Sequence, residues 1–89
     1  MLTTRPSLAA FYLGVTPTEE KILCLIHNNP GIITTQVSEA AHLPITNTSK
    51  HLSTLLHAGL IKRNYDRQYS RWSVTDPLAH LVLAAEAQQ

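Results

Sequence analysis

A mainly α domain with one small β-hairpin is what this sequence predicts, and three observations predict it. Residues 43 to 61, LPITNTSKHLSTLLHAGLI, divide at helical spacing into an apolar side and a short-polar side. The basic stretch that follows, KRNYDRQYSR, leads into residues that alternate as strands do. Two start signals, Thr16-Pro17-Thr18-Glu19 and Asp76-Pro77, open helices on either side of that unit.

Eighty-nine residues make one small domain, expected over 7–89 after a flexible tail at 1–6. Ser7 can cap a short apolar helix from Leu8 to Leu13, which Gly14 stops. Thr16 and Glu19 form a capping box with proline at the first helical position, so a helix should run from Pro17 to about Asn28. Asn28-Asn29-Pro30-Gly31 ends it, and Ile32 and Ile33 suit a very short strand. Thr34 or Thr35 caps the next helix, through Ala41, and His42-Leu43-Pro44 forms the turn into a helix over 46–58 capped at its N-terminus by Thr46. Gly59 ends that helix in a left-handed conformation. Leu60 to Tyr65 and Ser70 to Thr75 should pair around Asp66-Arg67-Gln68, with Trp72 and Val74 facing the core and Arg71 and Ser73 outward. A last helix runs from Pro77 to about Ala87.

In the helix over 46–58, Thr48, Leu52, Leu55 and Leu56, with Gly59 beyond its end, fall on one side. Thr46, Asn47, Lys50, Thr54 and His57 fall on the other, a face with almost no apolar bulk, one cation and several hydrogen-bonding groups. Such a helix, buried behind and polar in front, suits the major groove of DNA. Helix plus basic hairpin is the working end of a winged helix-turn-helix, here with short additional N- and C-terminal helices. The residues expected to touch DNA are Thr46, Asn47, Ser49, Lys50 and Thr54 on the helix and Arg63, Arg67 and Arg71 on the wing. The wing, 61–73, would lie on the backbone or in the minor groove.

Charge supports this orientation. Between residues 50 and 71, Lys50, Lys62, Arg63, Arg67 and Arg71 stand against Asp66, a net of +4, while the other residues sum to −3. One end of the chain is cationic and the other anionic, a polarity that orients a protein on a polyanion. The single Cys24 allows no intramolecular disulfide, no signal pattern opens the chain, and the longest apolar run, Leu81 to Ala85, is far short of the roughly 20 residues a membrane span requires. A cytoplasmic protein is the default expectation. Cys24 and His27 are spaced as half a zinc site, but no second pair exists, so no metal and no cofactor are expected. With no glycine-rich phosphate loop, nucleophile elbow or carboxylate pair, an enzyme is not expected either.

The order of elements and two local motifs resemble the ArsR and MarR families of regulators over about residues 16 to 78. Ser49-Lys50-His51-Leu52, then Leu55, then Ala58-Gly59-Leu60-Ile61 is similar to a stretch common in ArsR-like proteins. Tyr69-Ser70-Arg71-Trp72-Ser73-Val74-Thr75-Asp76-Pro77 resembles their second wing strand. The resemblance implies a dimeric DNA-binding repressor. The paired cysteines of metal-sensing members have no counterpart in Thr35 to Ala41, and the terminal helices are shorter than those that form the MarR-like dimer body and ligand pocket.

Those terminal helices are expected to carry the dimer. Leu78, Leu81, Val82 and Ala85 make one apolar stripe, while Leu83, Ala84 and Ala87 lie elsewhere around the last helix. In the helix from Pro17, Ile22, Leu25 and Ile26 should face the core and Leu23 and Cys24 project away from it. Helices apolar on more than one side are normally buried between layers. Leu8, Phe11, Tyr12, Leu78, Leu81, Val82 and Ala85 are therefore the expected homodimer contacts, the alternative being a monomer whose own terminal helices cover everything. A two-fold pair would favour an inverted-repeat operator with its half-sites about 34 Å apart. The alternative function is a winged-helix module that binds protein, or binds DNA without reading its sequence.

Overall fold

The computed structural model describes residues 8–87. Five helices surround a three-stranded antiparallel sheet: α1 Leu8–Leu13, α2 Pro17–Asn28, β1 Ile32–Ile33, α3 Thr34–Ala41, α4 Ile45–His57, β2 Ile61–Asp66, β3 Tyr69–Val74 and α5 Pro77–Ala87. The expected tail at 1–6 and the Ser7 cap lie outside the described residues, as do the side chains of Leu8 and Ala87.

The cap at the start of α2 forms as the spacing predicts. The Thr16 hydroxyl accepts the Glu19 amide at 3.2 Å, and Glu19 Oε1 accepts the Thr16 amide at 3.0 Å. Asp76 likewise accepts the Leu78 amide at the start of α5. The other two expected caps do not form. Ile33, not a threonine, precedes α3, and the Gln36 side chain reaches back to accept its amide. Thr34 is drawn away because its hydroxyl accepts the Trp72 indole N–H at 2.9 Å. At α4 the capping position is Pro44, which has no side-chain cap, so Thr46 already lies within the helix. Thr48, fully buried, instead donates its hydroxyl to the Pro44 carbonyl. A buried hydroxyl left unpaired would cost about 1–3 kcal/mol.

The sheet order is β1-β3-β2, so the short strand before α3 pairs with the far strand of the hairpin: Ile32 lies opposite Trp72 and Ile33 opposite Arg71. The hairpin is tighter than expected, with Asp66 opposite Tyr69 and only Arg67 and Gln68 between the strands. Trp72 and Val74 enter the core, which also takes Ile22, Ile26, Val37, Leu52, Leu55 and Ile61. Leu23, expected to project outward, is fully buried, while Leu25 and Cys24 are only half-buried. The physical reason lies in α1 and α5: they cover the side of α2 that faces away from the sheet, so Ala9, Ala79, Val82 and Leu83 give Leu23 a second apolar layer. None of the described helices is long and apolar enough to cross a membrane.

Candidate nucleic-acid interface

Helix α4 stands on the core by Thr48, Leu52 and Leu55, all buried, with Leu56 half-buried. Its opposite face presents Thr46, Asn47, Ser49, Lys50, Ser53, Thr54 and His57, every one exposed. The helix ends at Gly59, whose φ of +80° lets the Leu60 amide turn back onto the Leu55 carbonyl at 3.2 Å. That closure buries Leu60 and Ile61 and sends the chain directly into β2, fixing the wing's base against the helix. At the other flank His51 Nδ1 lies 3.6 Å from Glu19 Oε2, the same carboxylate that closes the α2 cap. One acidic residue thus ties α4 to α2.

Not all the polar groups on the face are free. The Thr54 hydroxyl donates to the Lys50 carbonyl and His57 Nδ1 lies 2.7 Å from the Ser53 carbonyl. Lys50 itself is exposed and makes no ion pair among the described residues, as do Lys62 and Arg67 on the wing.

The wing arginines differ in what holds them. Arg63 lies opposite Trp72 in the hairpin, and its guanidinium sits 4.9 Å from the Tyr65 ring centre and 5.5 Å from that of Trp72. Cation–π contact of this kind orients a guanidinium while leaving its N–H groups available. Arg67 is at the tip with φ +60°, a left-handed conformation that costs a non-glycine residue about 1 kcal/mol or more. Arg71, expected to face outward, is half-buried and engaged: Nε donates to Asp66 Oδ2 at 2.8 Å and Nη1 to the Gly31 carbonyl at 3.0 Å. Between α4 and the hairpin lies a cleft of about 290 Å³, lined by Ser49, Ser53, His57, Arg63 and Ser70 over Trp72. Helical spacing puts His57 on this polar face, whereas it gives no reason to expect Ser53 and Ser70 in the cleft. Strand alternation alone would have placed Arg63 and Tyr65 on one face, but the facing of that side toward α4 follows only from the register with Trp72.

At the far end, Phe11 is 69% and Leu81 70% exposed, with Tyr12, Leu78 and Ala85 also exposed. The rings of Phe11 and Tyr12 meet edge to face, 4.9 Å between centres. Val82 is different: it is 6% exposed and packs within its own chain, so it is core rather than outer surface. The outward face of α5 is Leu78, Leu81 and Ala85 because Ala79, Val82 and Leu83 take the inward one.

Cys24 is a free thiol. Its pKa is raised by burial first and then by the Glu20 and Glu86 carboxylates. No group of three His, Cys, Asp or Glu side chains among the described residues is placed to hold a metal ion.

Comparison with known proteins fits this geometry. Residues 15–68 match the MarR family model, more than half of the chain. No curated protein sequence matches at a significant level. Among solved structures, the fold superposes with a TM-score of 0.82 and 26% identity on a predicted DNA-binding transcriptional regulator from E. coli, over 90% of this chain and 86% of that one. The transcriptional regulator SlyA gives 0.77 at 23% identity, covering 89% of this chain and 59% of its own. FabT of Streptococcus pneumoniae, solved in complex with DNA, gives 0.77 at 19% identity, covering 83% of this chain and 53% of its own. The chain thus spans little more than half the length of these last two. Of the two families the motifs resemble, the match supports MarR and not ArsR. The chain belongs to the MarR family of winged helix-turn-helix, DNA-binding transcription regulators.

Proposed function

We propose that the chain represses transcription as a homodimer that reads an inverted-repeat operator in the cytoplasm. Each α4 enters the major groove, where Thr46, Asn47, Ser49 and Lys50 meet base edges and flanking phosphates. Thr54, one turn further along and bonded to its own backbone, is a phosphate contact at most. The wing holds the neighbouring backbone or minor groove through Arg63 and Arg67. The single observation that carries this reading is the pairing of a buried apolar back on α4 with an exposed polar front, beside a wing whose Lys62 and Arg67, like Lys50 on that front, make no ion pair among the described residues. Arg67 stands at the first position of a two-residue turn, where the hairpin itself requires a positive φ, and the turn leaves this cation exposed at the tip.

The dimer is proposed through the face of Phe11, Tyr12, Leu78, Leu81 and Ala85, with Leu8 beside it in sequence. Such apolar area at one end of a small domain marks a protein–protein surface. DNase footprinting on the DNA flanking the gene should show protection with two-fold symmetry, the two centres one helical turn apart, about 34 Å. Leu81→Glu should shift the protein to monomer in sedimentation and abolish the symmetric footprint at the same concentration. A footprint without symmetry would remove the dimeric reading, and no footprint on any selected duplex would remove DNA readout in favour of a protein-interaction role.

A further inference from the structure

We infer that Arg71 and Asp66 form a brace that sets the pose of the wing tip, Arg71 being a positioning residue and not a DNA contact. The inference rests on the DNA-binding reading above and adds to it. Three observations lead there. The Arg71 guanidinium forks between two partners, Asp66 Oδ2 at 2.8 Å and the Gly31 carbonyl at 3.0 Å, 40 residues away in sequence. Gly31 is itself pinned to the sheet, since its amide donates to the Trp72 carbonyl at 2.9 Å. Asp66 is the last residue of β2, directly before the left-handed Arg67. The fork therefore runs from the turn after α2, which is anchored to the core, to the residue that carries the tip.

The wing needs such a brace. β1 covers β3 only at Arg71 and Trp72, so residues 65–70 extend past the third strand as a two-stranded ribbon. Such a ribbon is at best marginally stable by itself. Asp66 is also the only acidic residue between 50 and 71, and an unengaged carboxylate beside a DNA-facing arginine would repel phosphates. Held by Arg71, its charge is offset and its position is fixed. The side chains of Arg71 and Asp66 are 43% and 52% exposed, so the pair adds little to global stability. Its contribution is to geometry: it carries the core's position out to Arg67.

The brace and a direct phosphate contact predict opposite signs. A duplex selected from a random pool by the wild-type chain serves as probe, in titrations of Asp66→Ala, Arg71→Ala, Arg71→Lys and Arg67→Ala, with melts to confirm folding. Under the brace, Asp66→Ala and Arg71→Ala each weaken binding by about two- to five-fold, the scale of an exposed ion pair. Arg71→Lys does not restore it, because an ammonium lacks the two-armed geometry. Asp66→Ala adds nothing once Arg67 is gone. If Asp66→Ala tightens binding, or Arg71→Lys binds as well as wild type, Arg71 is a phosphate contact and the brace is wrong. Amide hydrogen exchange on the free protein tests the brace apart from DNA. Amides of residues 65–70 should exchange faster in Asp66→Ala and Arg71→Ala and not in Arg67→Ala. Unchanged exchange overturns the inference even where DNA binds, and failure to select any duplex overturns the DNA reading while leaving the exchange result to decide the brace.

Discussion

Helix α4 and the wing share one surface but are positioned by different physics. The helix is fixed from behind: Thr48, Leu52 and Leu55 are buried, and the Gly59 turn clamps its end. The outer wing buries nothing, since every residue from Lys62 to Tyr69 is exposed. It is held by backbone pairing, the stacking of Arg63 on two rings, and the fork of Arg71. A surface that must read bases needs side chains fixed to within a fraction of an ångström, and packed cores supply that. A surface that follows a phosphate backbone tolerates more play. The difference in support therefore matches a division between reading and holding.

Substitutions can break that contrast. Leu52→Ala, deep beneath α4, should destabilise the fold by about 2–5 kcal/mol in thermal or urea melts. Tyr65→Ala on the wing, a side chain 71% exposed, should stay within about 0.5 kcal/mol of wild type. Equal losses at the two positions would mean that the wing is part of the cooperative core. Thr16→Ala sharpens the comparison from the far side of α4. It removes one half of the capping box whose Glu19 also meets His51, and should cost about 1 kcal/mol. The Glu19 carboxylate keeps its hold on the Thr16 backbone amide, which alanine retains, so the His51 contact should survive and the His51 ring resonances should stay in place.

How much of this was legible in the sequence depends on how local the cause is. The Thr16–Glu19 capping box, the proline-started helices α2 and α5, the Gly59 turn and the inward Trp72 and Val74 follow from neighbours within a few residues, and they form as expected. Thr34 fails as a cap because a tryptophan 38 residues later takes its hydroxyl, and no local rule contains that. Leu23 turns inward because two terminal helices cover α2, which periodicity in α2 alone does not reveal. Composition groups Arg71 with Arg63 and Arg67, since all three are cations on one hairpin. Separating them needed the register that sets Arg71 beside β1 and the turn at Gly31.

Salt dependence is a smaller effect but isolates the holding part. A dimer using about three phosphate contacts per chain should give a slope near −5 in log affinity against log salt. Arg67→Ala, which removes one contact from each chain, should make that slope shallower by about 2. A slope that Arg67→Ala leaves unchanged would show that the tip never meets a phosphate.

The central claim, that α4 reads while the wing holds, is tested most directly by one competition titration of Lys50→Ala and Arg67→Ala against selected and scrambled duplexes. Lys50 is exposed in the middle of the polar face and its removal leaves the buried Leu52 and Leu55 untouched. Lys50→Ala should weaken binding to the selected duplex by about 1–3 kcal/mol per half-site and relax preference at one base pair, with little change on scrambled DNA. Arg67→Ala should weaken both duplexes by the same factor. Unchanged affinity and selectivity in Lys50→Ala, or a loss of selectivity in Arg67→Ala alone, would contradict the account and move sequence reading from the helix to the wing.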